Sequence, residues 1–369
     1  MSTEISDWND LDNVRNDLTG DYVLVNDLDS ETDGYAGIGD DWNPIGEQAF
    51  DGDFYEGDFD GDGFEIRDLI VDTTEPNVGL FSGIRSPGEI KNLSVVGDIT
   101  TTSDDLNAGV LCSENRGTIE NCTAGGSVTA LSIFVTGGLV GRNLDTVTDS
   151  YATGSVEGDE RVGGLVGRNQ GPIQTSYAVG LVTGNTTVGA LVGRNEFNDE
   201  LSDSYADEET TGQTDLTGDG LGSITNSETL TTAEMQGSEA ETNMDGFDFS
   251  NVWSTVEAVE SETINGQITL DDVATETATV ILHNFSESDT LTGFSEDGYP
   301  ILLNSDKGEQ LDLQNIEIEE QINIARTETD TDGNYSADIP GATGDTIAVA
   351  VDFDDGTERY GRLITTVIE

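Results

Sequence analysis

The sequence predicts an all-β protein: a parallel β-helix with an N-terminal capping helix, followed by a C-terminal antiparallel β-sandwich. Two observations predict the β-helix. The heptads Gly137-Gly-Leu-Val-Gly-Arg-Asn143, Gly163-Gly-Leu-Val-Gly-Arg-Asn169 and Gly189-Ala-Leu-Val-Gly-Arg-Asn195 follow one another at an interval of 26 residues, and a period of that length is the signature of a solenoid. Between them Ser150-Tyr-Ala-Thr-Gly154, Ser176-Tyr-Ala-Val-Gly180 and Ser204-Tyr-Ala-Asp207 return nearly in step, so two landmarks keep each unit in register. A third observation predicts the sandwich: from about Glu262 the short, glycine-cut runs give way to longer period-two alternation.

Residues 1–20 are expected to form the cap, because the ends of a solenoid are open strand edges that need covering. Ser6 is the expected N-cap of an amphipathic helix that carries Trp8, Leu11, Val14 or Arg15, and Leu18, and stops at Gly20. Residues 21–255 are the solenoid. Leu139-Val140, Val147 to Ala152 and Ser155-Val156 read as three short strands per unit, parted by Gly, Asn and Asp. The pattern fades backwards through Gly109-Val-Leu-Cys-Ser-Glu-Asn115 and Gly79-Leu-Phe-Ser-Gly83. Coils stacked roughly 4.8 Å apart give the region from Gly20 to Trp253 a length on the order of 40 Å.

Asn115, Asn143, Asn169 and Asn195 fall at equivalent turns, where stacked amides hydrogen-bond along the axis. Gly141, Gly167 and Gly193 are expected where either a positive φ or the close approach of a neighbouring coil excludes a side chain. Asp207 to Ser227 reads as a mobile polar loop, Thr231 to Gly237 as one or two helical turns, and Phe247, Phe249 and Trp253 as the closure of the last coil.

These landmarks resemble those of the GLUG-motif repeat proteins, adhesin-like β-helical proteins of bacteria and archaea. That family's opening pattern is matched by Trp8, Tyr22-Val-Leu-Val-Asn-Asp-Leu28, Trp42-Asn-Pro-Ile-Gly46, Phe50, and Phe59-Asp-Gly-Asp-Gly-Phe64 leading to Ile66, Leu69 and Gly79-Leu-Phe81. The likeness spans about two thirds of the chain. One departure is that the family's closing Asp-Gly-Tyr-Pro-Ile-Leu, here Asp297 to Leu302, follows Trp253 by about forty residues instead of directly.

Residues 262–369 carry the alternating runs Ile264 to Leu270, Ala278 to Leu282, Thr346 to Asp352 and Leu363 to Ile368, with Thr329 to Tyr335 and Asp352 to Thr357 read as hairpin turns. This set is similar to carboxypeptidase-regulatory-like and collagen-adhesin B-type domains, transthyretin-like or immunoglobulin-like sandwiches that serve as stalks and spacers. The resemblance implies no activity.

The chain holds 75 Asp and Glu against 13 Lys and Arg, a formal charge of −62, and its lysines are Lys91 and Lys307. In ordinary salt such a chain repels itself; molar salt shortens the Debye length to roughly 3 Å. The composition therefore predicts a protein with a high K or Na salt requirement. It excludes sequence-unspecific nucleic-acid binding, which needs a basic face. No stretch approaches the roughly twenty apolar residues of a membrane span.

Catalytic chemistry is sparse. The single histidine, His283, lies in the apolar run Val280-Ile-Leu-His-Asn and cannot build a triad or a His-rich metal site. Paired carboxylates of the polysaccharide-cleaving kind would form by chance among so many acids, so the expectation is a non-enzyme, with no catalytic residue and no cofactor. Asp58-x-Asp60-x-Asp62-Gly63 imitates the first half of a calcium loop but has Leu69 where the bidentate Glu belongs; it offers weak Ca or Mg binding or a plain acidic turn, as do Asp330, Asp332 and Asn334. Arg142, Arg168 and Arg194 form a column that either grips acidic or sulfated glycans or bridges neighbouring acidic turns. Tyr151, Tyr177 and Tyr205 form a second column, a sugar platform or an aromatic ladder inside the coil. Cys112 and Cys122 are read as replacing the Val of one heptad and the Tyr of one Ser-Tyr-Ala element, free or paired.

These readings converge on an adhesion and structural protein that faces the outside. The segment Met1 to Asp10 has none of the basic, apolar character of a secretory signal, and this points to a virion surface component of a halophilic archaeal virus, a fibre, spike or decoration. The alternative is a haloarchaeal cell-surface adhesin, and a third reading a polysaccharide-cleaving β-helix enzyme. Expected partners are other virion proteins or a second copy of the chain, and a host envelope glycan or glycoprotein.

Overall fold

Glycine, Asn and Asp cut the β-branched runs so often that the chain turns after every few residues, and each strand finds its hydrogen bonds in the next coil rather than in a hairpin partner. The computed structural model describes residues 2–255, apart from 47–52, 75, 103–106, 132–134 and 197–199. Beyond 255 it describes the strand backbones at 261–267, 279–285, 301–302, 325–328, 334–340, 346–354 and 359–367. Phe50 of the opening pattern and the acidic pair Asp330 and Asp332 lie outside the described residues. The chain divides into two compact units, Met1–Ser254 with Leu302–Lys307, and Thr255–Ile301 with Gly308–Glu369.

The first unit is a parallel β-solenoid. Its longest sheet runs through Thr3–Ile5, Tyr22–Leu24, Asp58–Asp60, Ile84–Lys91, Cys112–Glu120, Val140–Asn143, Val166–Asn169, Val192–Asn195 and Thr217–Gly220, each strand paired in parallel with the next. A second sheet passes from Glu65–Thr73 through Ser94–Thr101 to Thr123–Ala130. There it divides into a track of Tyr151–Ala152, Tyr177–Ala178, Tyr205–Asp207 and Glu228–Leu230 and a track of Ser155–Gly158 and Val182–Thr183. A third sheet stacks Asn107–Ala108, Val135–Gly137, Glu160–Gly163 and Thr186–Gly189.

Equivalent residues of the repeat lie directly opposite one another: Val140 with Val166 and Val166 with Val192, Tyr151 with Tyr177 and Tyr177 with Tyr205. Register is held because a slip of one residue would turn the apolar positions outward. Leu139, Leu165 and Leu191, with Ala152, Ala178 and Ala206, are wholly buried in one continuous core. Gly141, Gly167 and Gly193 do not have positive φ. Close approach explains them: a Cβ on Gly167 would stand 2.6 Å from the backbone N of Thr136. The turns instead use Asn92, Asn121, Asp149, Thr175, Asp203 and Asn226, with φ between 42° and 59°, a left-handed column suited to Asn and Asp.

Three expectations are corrected here. The first helix is Trp8–Asn13 and its N-cap is Asp7, whose side chain accepts from the Asp10 N–H; Ser6 hydrogen-bonds to the Asp10 carboxylate. Thr3–Ile5 ahead of it is already a strand, paired with Tyr22–Leu24, so residues 1–20 contribute a rung as well as a helix. Asp207 to Ser227 is not a loop. It adds the helical turn Glu208–Thr211 and then Thr217–Gly220 and Ser223–Thr225, which pair with Val192–Asn195 and Glu200–Ser202 as the outermost rung. At 231–237 a capping box of Thr231 and Glu234 starts the 3-10 turn Thr232–Met235, and the helix Gly237–Asn243 follows. Beyond it, Trp253–Ser254 pairs with Ile301–Leu302, and the rest of the family-like closing segment, Asp297 to Pro300, lies outside the described residues.

The second unit is antiparallel. Ser261–Gln267 pairs with Asn334–Pro340, and a four-stranded sheet orders Ala325–Glu328, Thr279–Phe285, Thr346–Asp354 and Arg359–Val367. Thr346–Asp354 and Arg359–Val367 are antiparallel partners whose last pair is Asp354 with Arg359, and residues 355–358 of the expected turn lie outside the described residues. The other expected turn, Thr329 to Tyr335, lies at 329–333 outside the described residues.

Candidate functional site

The asparagine column forms as expected. The Nδ2 of Asn115 donates to Oδ1 of Asn143 at 2.8 Å, Asn143 to Asn169 at 2.9 Å, and Asn169 to Asn195 at 2.9 Å. All four side chains are buried, and the ladder satisfies polar groups that would otherwise destabilise the core. Every donor points toward the C-terminal coils. The last, Asn195 Nδ2, has no partner among the described residues, because its register mate is Gly220.

A second polar column was spelled out in the Ser-Tyr-Ala landmark but not read as one. The Oγ of Ser150 accepts the N–H of Cys122, Ser176 that of Ser150, Ser204 that of Ser176 and Ser227 that of Ser204. Each hydroxyl donates to the carbonyl two residues back. Cys122 therefore occupies the serine position, not the tyrosine position as expected: Thr123, not Cys122, lies opposite Tyr151. Its Sγ faces the Glu120 carbonyl at 3.2 Å, the same contact through a weaker donor. Cys112 stands opposite Val140, as expected. Both cysteines are free and buried, and burial pushes the thiol of Cys122 up to about 12 and that of Cys112 well above its ordinary value. Neither is poised as a thiolate.

The arginine column is in place, Arg142 opposite Arg168 and Arg168 opposite Arg194, with Glu114 at one end and Asp219 at the other. Like charges at coil spacing are tolerated because each guanidinium reaches sideways. Arg142 donates to Oε1 of Gln170 through Nε and Nη2, at 3.0 and 2.6 Å, and to Glu114 through Nη1 at 3.3 Å. Arg168 Nε donates to Glu196 at 3.0 Å, and Arg194 Nε lies 3.2 Å from the same oxygen without hydrogen-bond geometry. Thus the arginines bridge to neighbouring acidic turns. Their partners went unread because the residue after each Asn changes from Leu144 to Gln170 to Glu196.

The tyrosine column faces out of the coil. Tyr151 and Tyr177 stack with centroids 4.7 Å apart and planes within 3°, while the following alanines point into the core. The expected burial inside the coil is corrected, since strand alternation sends Tyr and Ala to opposite faces. A strap from the C-terminal side covers the rings. Trp253 lies 5.7 Å from Tyr177 and 6.0 Å from Tyr151, Phe247 lies 5.8 Å from Tyr205, and the Tyr205 hydroxyl donates to the Asp245 carbonyl at 2.9 Å. Phe247 and Trp253 thus run along the flank over successive coils. Desolvation beneath this strap raises the Tyr151 hydroxyl to about 12. A sugar platform is therefore not exposed here.

Asp58 and Asp60 lie on one strand and Asp62 in the turn after it, at φ 49°. Asp58 pairs with Lys91 at 3.3 Å, and Asp60 accepts from Asn92 at 2.9 Å and from the Asp62 N–H at 3.0 Å. They are engaged separately, and among the described residues no group of three His, Cys, Asp or Glu gathers to hold a metal ion. His283 sits in the interior strand of the four-stranded sheet, opposite Ala348. No described helix is long and apolar enough to cross a membrane.

Comparison with known proteins adds three findings. The model of the GLUG motif family matches residues 134–157, the coil that carries the first full heptad and the first Ser-Tyr-Ala element. A Gly-rich membrane protein of Evansella cellulosilytica is 38% identical over 115 residues, covering 30% of this chain and 13% of that protein. Halomucin of Haloquadratum walsbyi is 31% identical over 144 residues, 37% of this chain and 2% of its own length. The chain thus spans a small part of the length of the relatives it matches, and no solved structure matches it. The repeat region is a β-solenoid bearing the GLUG motif, similar in sequence to segments of much larger bacterial and haloarchaeal proteins.

Proposed function

We propose that the chain is a non-enzymatic structural and adhesion protein of an external surface, built to work in high salt. The carrying observation is the likeness of its repeats to segments of proteins named halomucin and Gly-rich membrane protein, on a solenoid whose repeat-specific side chains are occupied with one another. Asn, Ser and Tyr of each coil bond or stack onto the next coil, which serves a stiff scaffold rather than a reaction centre. The second unit, with its two antiparallel sheets, is read as a sandwich-like spacer.

The finer setting is a virion surface component of a halophilic archaeal virus that meets the host envelope; the second setting is a haloarchaeal cell-surface adhesin, a reading supported by the likeness to halomucin. Mass spectrometry of purified virions, cell envelopes and cytosol from the source culture separates them. Stoichiometric recovery in virions supports the particle role, and recovery in envelopes alone supports the adhesin. Recovery in the cytosol alone sinks the surface reading.

A further inference from the structure

In a sequence of which 24% is charged, the stretch from Asn169 to Gly193 carries no Asp, Glu, Lys, Arg or His. Part of that stretch is surface. Leu181 is 54% exposed, and Thr183, Gly184, Asn185 and Thr186 are exposed after it. The preceding coil fills the matching corner with charge: Asp159, Glu160 and Arg161 stand where Asn185, Thr186 and Thr187 stand one coil on.

The same corner joins two sheet edges. Val182–Thr183 pairs with Ser155–Gly158 and Thr186–Gly189 pairs with Glu160–Gly163, and neither has a described strand on its other side. Gln213 Nε2 reaches the Val182 carbonyl at 3.0 Å, and the Ala190 N–H donates to the Asp215 carbonyl at 2.9 Å, so the edge is closed at its two ends. Between them Thr183 to Thr187 has neither the charges nor the prolines that keep an exposed edge from pairing with another chain.

Asn185-Thr186-Thr187 at this corner is the Asn-x-Thr acceptor pattern for asparagine-linked sugar. We propose that Asn185 is glycosylated, and that its glycan covers the uncharged edge with hydrated hydroxyl groups where the preceding coil uses charged side chains. The Nδ2 of Asn185 takes the sugar from a glycosyl phosphate or diphosphate donor. The Nδ2–C1 bond forms, the C1–O bond to phosphate breaks, the phosphate leaves with the electron pair, and Nδ2 gives up one proton. Its other N–H remains for Oδ1 of Asp159, to which Nδ2 donates at 2.7 Å on the exposed face, so the modified side chain keeps its anchor. The inference rests on the reading of the chain as a protein of an external surface, and names a modification of that surface.

The acceptor pattern recurs at Asn92-Leu-Ser94 and Asn121-Cys-Thr123, and the fold separates these from Asn185. Their middle residues, Leu93 and Cys122, are wholly buried. Asn121 Nδ2 donates to Asn92 Oδ1 at 2.8 Å and Asn92 Nδ2 to Asp60 at 2.9 Å, while Thr123 Oγ1 donates to Ser94 Oγ at 2.8 Å and Ser94 Oγ to Glu65 at 3.0 Å. A sugar on either amide would crowd a bonded stack of half-buried side chains; Asn185 and Thr186 both face solvent. Further copies of the pattern begin at Asn284 and Asn334, on strands of the second unit.

Trypsin separates the three solenoid acceptors, because cleavage after Lys91, Arg116, Arg142, Arg168 and Arg194 releases Asn92–Arg116, Gly117–Arg142 and Asn169–Arg194 with one acceptor each. The test is mass spectrometry of these peptides, with electron-transfer fragmentation to locate any sugar, on the full chain purified from the source culture. The expected result is sugar on Asn185 in most copies of Asn169–Arg194, with the other two peptides unmodified. In the same cells Thr187→Ser should keep the sugar and Thr187→Ala lose it, and sedimentation in molar KCl should show the Thr187→Ala chain self-associating at concentrations where the glycosylated chain does not. An unmodified Asn185, a sugar carried on Ser or Thr instead, or a sugar retained by Thr187→Ala overturns the site. Equal modification of Asn92 and Asn121 overturns the selection by the fold, and unchanged sedimentation of Thr187→Ala overturns the covering role. A chain recovered on envelopes or virions with Asn185 unmodified fails here while the surface reading stands; recovery in the cytosol alone sinks that reading itself.

Discussion

The early coils and the later coils of the solenoid obey one register and fill it in opposite ways. Before about residue 90 the interior is built of large rings at varied angles: Trp8 lies 5.6 Å from Tyr35 and 6.0 Å from Trp42, and Tyr55, Phe59 and Phe81 meet with centroids 5.3 to 6.4 Å apart. After residue 107 the same space holds Leu, Val and Ala repeated coil upon coil, threaded by the Asn and Ser ladders. Irregular coils are unified by shape, regular coils by chemistry. The first kind tolerates a change of spacing between landmarks; the second requires the same residue at each step, because each inner member of the amide ladder, Asn143 and Asn169, is both donor and acceptor to its neighbours.

The comparison breaks most visibly at Trp8. Truncation to Ala removes a fully buried indole and its 2.8 Å bond to the Asp29 carbonyl, and is expected to cost about 3–5 kcal/mol in denaturant unfolding at fixed molar salt. Trp8→Phe should recover much of that loss, since shape is what the site demands. Asn143→Ala comes next. It leaves Asn115 Nδ2 with the Thr146 carbonyl alone and removes the Asn143 amide that donates to Asn169, for an expected loss of about 1–3 kcal/mol. Here Leu, closer in volume, should rescue nothing, and a rescue by Leu would count against the chemical reading of the later coils. The smallest effect is expected at Cys122→Ser, which restores the hydroxyl of the column in place of a weaker donor; stability should hold or rise, by no more than about 1 kcal/mol. A clear loss there would show that the cysteine packs in a way serine cannot.

The later coils were the legible ones. A regular motif turns sequence position into spatial position, so Asn115, Asn143, Asn169 and Asn195 could be stacked from their place in the heptad, and the structure sets them hand to hand. Where the repeat is imperfect, reading slips by one. Asn121-Cys122-Thr123 aligns with Asp149-Ser150-Tyr151 only once the left-handed turn residues Asn121 and Asp149 are known. The strap was misread for a different reason: Phe247 and Trp253 are as apolar as any capping cluster, and only the outward pitch of Tyr151, Tyr177 and Tyr205 shows what they cover. The helix start was read one residue early, at Ser6 instead of Asp7, since both are residue types that cap helices. Glu114 stands at the arginine position of its own heptad and Glu196 at the variable position after Asn195, so their ion pairs with the arginine column became visible only once the coils were laid one on another.

The amide ladder has one further consequence, for how such a chain changes length over generations. Each regular coil brings to every column one group that gives and one that receives, and all of them run the same way along the axis. A segment that carries one whole coil, 26 residues from Asn143 to Asn169 or 28 from Asn115 to Asn143, can be duplicated or lost by unequal recombination, and the cut faces still match; a change that shifts a strand by one residue leaves every column mismatched. Reach is thereby inherited in whole steps, and a lineage can lengthen or shorten this scaffold without having to invent a new fold.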